Sequence, residues 1–361
     1  MDRPPGGRFD DKYELLERLG HGNFGEVYRI REIATGHVFA LKRIRTGSDA
    51  SKMETIPPAA FNEIQAMYHL DHPNVVHLVD VIPEGASVGL VLEYMETDLA
   101  HLIANSTAAF SAQDTKSLMY MLLRGVECCH TQQILHRVRA YLHREAAPLL
   151  HHSQQDIKPS NLLLDQHGVL KLSDFGLATV YTGPEREYAH QVATRWYRSP
   201  ELLFGSRTYN HKVDMWAVGV VFAELLQHAP LFPGMNDIDQ IFRVMQVLGS
   251  PTWPGMADLP DYHKVSFPVF SPLPLETLFA DTDSIALDLL KHLLVYDPSQ
   301  RLDAAEALKH PYFLTEPLPL PYIQRKVQAR NVSPEFSVRH GGGGILAALN
   351  LDMPFFPSGQ V

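Results

Sequence analysis

The sequence predicts an α+β chain of two lobes, the first built of strands and the second mostly of helices. Three observations carry that expectation. The first hundred residues hold short β-branched or alternating runs separated by Gly and Thr-Gly turn signals. From Asp98 onward, apolar residues recur at helical spacing. A length of 361 residues, with 45% hydrophobic and 20% charged side chains, is enough for two packed cores.

Tyr13–Leu19, Glu26–Ile33 and Val38–Arg45 read as strands because each is brief, rich in β-branched or alternating residues, and bounded by turn residues. A helix follows, with Phe61, Ile64, Met67 and Tyr68 on one face and Pro57-Pro58 near its start. Strand-like runs return at Val75–Val81 and Val88–Glu93. Helical periodicity then covers Thr115–His130, Asp214–Gln227, Asp237–Leu248 and Ser284–Leu294, with the lobes joined near Glu93–Thr97. Residues 1–12 read as a disordered start. Residues 314–361 read as a Pro/Gly-rich tail, mostly linker, in which Ile345–Phe356 is apolar enough to dock back.

Composition excludes several function classes. A net charge of −10 argues against a nucleic-acid or membrane-surface binder. The longest apolar run, Ala217 to Leu226, is broken by Glu224 and falls short of a membrane span. Met1 to Asp11 is polar, with no signal-peptide core. Cys128 and Cys129 are adjacent and offer no disulfide framework, as expected of a reduced interior. The expectation is a soluble protein of the cytoplasm or nucleus, a monomer or half of a heterodimer.

Gly20-x-Gly22-x-x-Gly25 alone marks little more than a turn. Its context is more telling. A dinucleotide fingerprint needs a helix directly after the loop, whereas Glu26–Ile30 continues as a strand. Strand, glycine loop and strand suit a flap whose N–H groups cover nucleotide phosphates, with Val27 two residues beyond. Lys42 ends an apolar strand fifteen residues past Val27. An isolated strand lysine is an ordinary snorkelling side chain, but beside this loop it reads as a ligand of the α- and β-phosphates. Glu63, on the following helix, is the carboxylate that would orient it.

Asp156-Ile-Lys158-Pro-Ser-Asn161 is followed thirteen residues later by Asp174-Phe175-Gly176. Phosphoryl transfer needs a carboxylate at the acceptor hydroxyl, a cation on the γ-phosphate, and oxygen ligands for Mg²⁺. Asp156, Lys158, and Asn161 with Asp174 fill those roles in order. Ser199-Pro200-Glu201 and Asp214-x-Trp216-x-x-Gly219 follow, with Glu201 expected to pair with Arg301.

These residues resemble the eukaryotic protein kinases over Tyr13 to Phe313, and the resemblance implies the bilobal protein-kinase fold. Ile56-Pro-Pro-Ala-Ala-Phe-Asn-Glu63, Trp196-Tyr-Arg-Ser-Pro-Glu201 and Pro230-Leu-Phe-Pro-Gly234 are similar to the cyclin-dependent kinases. His190–Arg198, Phe232–Ile238 and Leu259–Phe267 have the flavour of their cell-cycle-related branch. The resemblance implies ATP and Mg²⁺ as cofactors and Ser/Thr-Pro sites on protein substrates. Val192 and Arg198 would shape the pocket after the acceptor, and Thr194 would bond the Asp156–Lys158 pair. Adenine would lie between Leu19, Val27, Ala40 and Leu163, against hinge backbone at Glu93–Met95. A cyclin or other activator is implied by resemblance alone, since the helix of Glu63 could equally be held by the lobe itself. Association with the cilium is likewise implied only so.

Three departures qualify the match. The activation segment reads Tyr188-Ala189-His190, so the usual phosphorylated Thr is absent. Of the three arginines that would grip its phosphate, Asn62 and Thr179 replace two and only Arg137 remains. An activation loop ordered without phosphorylation follows. Asn23-Phe24 replaces the inhibitory Thr-Tyr pair, which removes that brake. Most seriously, His136-Arg137 is split from Asp156 by eighteen residues, Val138–Gln155. A surface loop costs little closure entropy, but misplacing the catalytic carboxylate costs orders of magnitude in rate. Eighteen codons keep the frame, Val138-Arg139 can be encoded as a splice donor and Gln155 as an acceptor. A retained intron or alternative exon boundary is therefore one hypothesis and a native insertion the other; transcripts always carrying these codons would remove the first. The corresponding functional alternatives are an active kinase and a catalytically impaired scaffold.

Overall fold

The computed structural model describes residues 9–22, 25–45, 64, 66–84, 87–106, 109–142, 152–153, 156–175, 179–180 and 194–327. Its N-terminal lobe is one five-stranded antiparallel sheet. The strands are β1 (Tyr13–Gly22), β2 (Gly25–Glu32), β3 (Val38–Arg45), β4 (Leu78–Glu84) and β5 (Ser87–Glu93), in the order β1-β2-β3-β5-β4. Alternation sorts their side chains onto two faces. Ile30, Leu41, Ile82 and Val91 form one cluster, and Ile44, Val88 and Leu90 form another.

The chain start joins the first of these. Helix α1 (Phe9–Lys12) tucks Phe9 against Tyr13, with ring centroids 5.8 Å apart, and Arg43 lies over the Phe9 ring. The disorder expected of residues 1–12 therefore does not extend to Phe9, which is only 7% exposed. An aromatic next to two aspartates looks like surface in sequence, but burying it is worth about 2 kcal/mol. The helical segment at 66–69 differs from expectation too: Ala66, Met67 and Leu70 are buried, while Tyr68 is 80% exposed.

Strand β6 (Thr97–Asp98) opens the second lobe and leads into α2 (Leu99–Ala104), whose N-cap Asp98 accepts the His101 N–H at 2.8 Å. Helix α3 spans Ala112–Leu142, twelve residues beyond the expected end at His130. Strand β7 (His152–Ser153) precedes Asp156, and β8 (Leu162–Leu164) pairs with β9 (Leu170–Leu172) and with β6. Strand β10 (Thr179–Val180) pairs with β7.

The remaining helices are α4 (Pro200–Leu203), α5 (Lys212–Gln227), α6 (Asp237–Leu248), α7 (Leu275–Leu278), α8 (Ser284–Leu293) and α9 (Ala304–Ala307). Helix α5 is apolar around most of its circumference and is buried from Val213 to Leu225, so it forms the spine of this lobe. Gly219 lets α8 approach it; a Cβ there would sit 2.9 Å from Leu293 Cβ. Among the described residues no helix is long and apolar enough to cross a membrane.

Beyond Phe313 the chain stays on the lobe. Lys116 Nζ donates to the Thr315 carbonyl at 2.7 Å, the Leu320 N–H to Ser117 Oγ at 2.9 Å, and the Gln324 N–H to Asp114 Oδ1 at 2.8 Å. Ile323 is buried and its N–H reaches the Gly168 carbonyl at 3.0 Å, while Arg325 covers the Phe110 ring. The expected linker thus does not begin at residue 314. Proline-rich composition looks like linker, yet backbone bonds to α3 and one buried isoleucine dock it. Ile345–Phe356 lies outside the described residues.

Candidate active site

The glycine loop is the β1–β2 turn, with Gly22 opposite Gly25. Its glycines are not equivalent. A Cβ on Gly25 would lie 1.7 Å from the Arg43 carbonyl oxygen, so β3 excludes any side chain there. A Cβ on Gly20 would meet nothing within 4 Å, so no neighbour requires glycine there. Val27 pairs across the sheet with Lys42, and Lys42 in turn with Leu90. Leu19, Val27 and Ala40 are all half-buried. Lys42 Nζ reaches Asp174 Oδ1 at 3.1 Å, an ion pair that crosses from the sheet to the second lobe. Glu63, the expected partner, lies outside the described residues, as do Asn23-Phe24, Ala189 and Val192.

The hinge is pinned through Glu93. Its N–H donates to the His77 carbonyl at 3.1 Å, Oε1 accepts the His77 N–H at 2.7 Å, and Oε2 accepts Lys171 Nζ at 2.6 Å. The Glu96 N–H donates to the Leu164 carbonyl at 2.9 Å, and Leu163 pairs with Asp98. Leu163 and Met95 are therefore held at the junction where the adenine site is expected.

Asp156 is the centre of the polar site and is 7% exposed. Its Oδ1 accepts the Thr194 N–H at 2.7 Å, while Oδ2 accepts Lys158 Nζ and, at 3.3 Å, Thr194 Oγ1. Lys158 Nζ also donates to Thr194 Oγ1 at 2.9 Å. Asn161 Nδ2 donates to the Asp156 carbonyl at 2.9 Å, which turns its amide oxygen away from that carbonyl. Local sequence explains the placement. Ile157 is buried, Pro159 opens a 3₁₀ turn, and the leucines of β8 run into the core. Ser173 closes the circuit, its N–H and Oγ both donating to the Asn161 carbonyl, at 3.0 and 2.9 Å. Asp174 then takes a left-handed conformation, φ 60°, which short polar residues tolerate best.

Beneath this network lies residue pair Tyr197–Glu224. Tyr197 OH donates to Glu224 Oε2 at 2.7 Å. Burial raises the Glu224 carboxyl to about 7, partly offset by the Tyr197 bond. Burial, and then the Glu224 charge, push the Tyr197 phenol well upward. Arg198 is buried, donates to Asp237 Oδ1 at 3.2 Å, and has its pKa lowered by desolvation. Arg195 Nε shares that oxygen at 2.8 Å. Nothing in the sequence singles out Glu224 or Asp237 for the site; each is one more helical acid until the fold brings it under residues 194–198.

The expected Glu201–Arg301 pair is present, bidentate at 3.0 and 3.2 Å, with Arg301 also donating to the Val295 carbonyl. His130 Nε2 lies 3.0 Å from Asp214 Oδ2 and ties α3 to α5. His211 packs on His130, and burial, reinforced by the His130 charge, lowers it to about 4. Away from the cleft, Asp288, His292 and His310 also meet. There His310 Nδ1 accepts the Tyr312 N–H at 3.2 Å, which leaves Nε2 as the donor toward Asp288, a capping arrangement.

The sheet and the helical lobe fall within a known family. Residues 13–137 and 139–313 correspond to the protein kinase domain, so the chain belongs to the protein kinase family. It is similar to Cyclin-dependent kinase 20 of Danio rerio, 44% identical over 326 residues, covering 89% of this chain and 88% of that protein. Cyclin-dependent kinase 7 of Xenopus laevis is 43% identical over 313 residues, covering 86% and 83%. Cyclin-dependent kinase 20 of Homo sapiens is 42% identical over 326 residues, covering 87% and 88%. The chain is a serine/threonine protein kinase of cyclin-dependent-kinase type, and its fold is the bilobal kinase fold. That family uses ATP and Mg²⁺ and acts on proteins.

Proposed function

We propose that this chain is an active, proline-directed serine/threonine kinase whose activation segment needs no phosphate. The observation that carries the reading is the intact bonding of Asp156. Thr194, Lys158 and Asn161 all hold it from the C-terminal side, although eighteen residues separate it from His136-Arg137 in the chain. In this reading the acceptor hydroxyl oxygen attacks the γ-phosphorus and the bond to the ADP oxygen breaks. Asp156 orients the hydroxyl and takes its proton. Lys158 neutralises charge on the transferring phosphoryl group. Asn161 and Asp174 offer the hard oxygen donors that suit Mg²⁺ and would hold it, where it would supply positive charge against the phosphates. Lys42 holds the α- and β-phosphates under the glycine flap.

Proline selectivity is supported by Arg198, whose buried guanidinium on Asp237 stiffens the floor beside the acceptor. Labelled-phosphate transfer to paired peptides, Ser-Pro against Ser-Ala, tests it. Preference for Ser-Pro by about tenfold or more is expected; equal transfer would refute proline direction.

The scaffold reading has one observation in its favour: α3 carries His136-Arg137 on helical backbone, eighteen residues removed from Asp156 in the chain. Stabilisation by Mg-ATP would not separate the two readings, because both bind nucleotide. Phosphotransfer does. A cyclin-type activator belongs to this proposal by relationship, and stimulation by one is measured in the same assay.

A further inference from the structure

The two site carboxylates sit on separate arms of the chain, and a two-residue ladder joins those arms. Strand β7 ends at Ser153, three residues before Asp156, and β10 begins at Thr179, five after Asp174. They pair antiparallel, Ser153 opposite Thr179 and His152 opposite Val180. Strand β7 belongs to the stretch Val138–Gln155 that divides Arg137 from Asp156, and it packs beside α3.

Helix α3 leaves no room for the alternative pairing. It runs without interruption through His136-Arg137 to Leu142, so Ile134 and Leu135 make helical, not strand, bonds. Without residues 138–155, Ile134 and Leu135 would stand four and three residues before Asp156. His152 and Ser153 hold those same offsets. The dividing stretch thus places a strand at the offsets that Ile134 and Leu135 would otherwise hold.

We propose that the β7–β10 ladder positions the catalytic loop in this chain, so that His152-Ser153 supply the strand before that loop and Asp156 is held without His136 or Arg137. The proposal rests on the reading of Asp156 as the residue at the acceptor hydroxyl. A ladder works through backbone N–H and C=O groups, so His-Ser serves despite its poor strand propensity. Asp156 is then clamped from both sides: by β7 before it, and by Ile157, Asn161 and Thr194 after it.

Paired cysteines test the geometry independently of activity, since directly opposed strand residues have Cα atoms about 4.5–5.5 Å apart, within disulfide range. His152→Cys with Val180→Cys, and Ser153→Cys with Thr179→Cys, are oxidised mildly and mapped by mass spectrometry, beside Ile134→Cys with Val180→Cys. Linkage at 152–180 or 153–179 and none at 134–180 is expected. Linkage at 134–180, or none at either β7 pair, overturns the proposal. The functional arm measures kcat and KM for ATP. Ser153→Pro removes a backbone N–H and is expected to lower kcat about a hundredfold with KM for ATP little changed, whereas Ser153→Ala restores it. Arg137→Ala is expected to leave kcat within about twofold; a loss like that of Ser153→Pro would overturn the proposal. If the β7 pairs link but phosphate is not transferred, the reading of Asp156 fails while the ladder stands.

Discussion

Thr194 shows how much one residue contributes at this site. Its N–H and Oγ1 both meet the Asp156 carboxylate, and Oγ1 also accepts from Lys158. Thr194→Ala keeps the N–H bond but frees Lys158 and one carboxylate oxygen to reorient. We expect kcat to fall about ten- to a hundredfold with KM for ATP within twofold, and Thr194→Ser to restore it. Steady-state kinetics on all three proteins checks this. Glu224 makes a prediction about pH. Its folded pKa of about 7 lies above the unfolded value of 4.5, so the folded state holds a proton that the unfolded state has lost between those limits. Stability falls as pH rises through that window, by up to about 3 kcal/mol, and is fully present only below about pH 4.5. Glu224→Gln keeps an acceptor for Tyr197 and removes the titration. Urea unfolding at pH 5 and pH 8 should show wild type losing stability relative to the variant; parallel behaviour would contradict the assignment.

Elements differ in how openly the sequence declares them. Strand β3 and helix α6 have the expected bounds, Val38–Arg45 and Asp237–Leu248, because their signals are complete. For α6, Asn236 caps the start through the Asp239 N–H, and Gly249 turns the end at φ 78°. Helix α3 was underestimated for the opposite reason: from Gln132 to Ala147 there is neither Gly nor Pro to stop it. The candidate site residues that stand on single motifs, Asp156, Asn161 and Asp174, are legible in order. Contacts between distant elements were not, since the Lys42–Asp174 bridge spans 132 positions. The Glu201–Arg301 bridge spans 100 positions and is the long-range pair that the ordered motifs do predict. That bridge ties α4 to the segment after α8 with both side chains buried. Glu201→Ala would strand a buried guanidinium and cost about 3–5 kcal/mol, read by chemical denaturation. The docked tail makes a milder claim. A chain ending at Phe313 should lose stability relative to one ending at Val327, by about 1–3 kcal/mol, because Ile323 and the bonds from Ser117 and Asp114 are lost.

The whole molecule is two lobes bridged in the cleft by the Lys42–Asp174 pair and at the hinge by Glu93–Lys171, with the glycine loop on one side and the Asp156 network on the other. Its unusual feature is the eighteen-residue division of the catalytic loop, which by geometry should disable it and which the fold accommodates with a longer α3 and a substitute strand. Phosphate transfer to a Ser-Pro peptide by the full chain, by a chain lacking 138–155, and by Asp156→Asn as blank tests this account most directly. Transfer by both the full and the shortened chains is expected, with loss of about a hundredfold or more in the blank. A full chain no more active than Asp156→Asn, beside an active shortened chain, would contradict it.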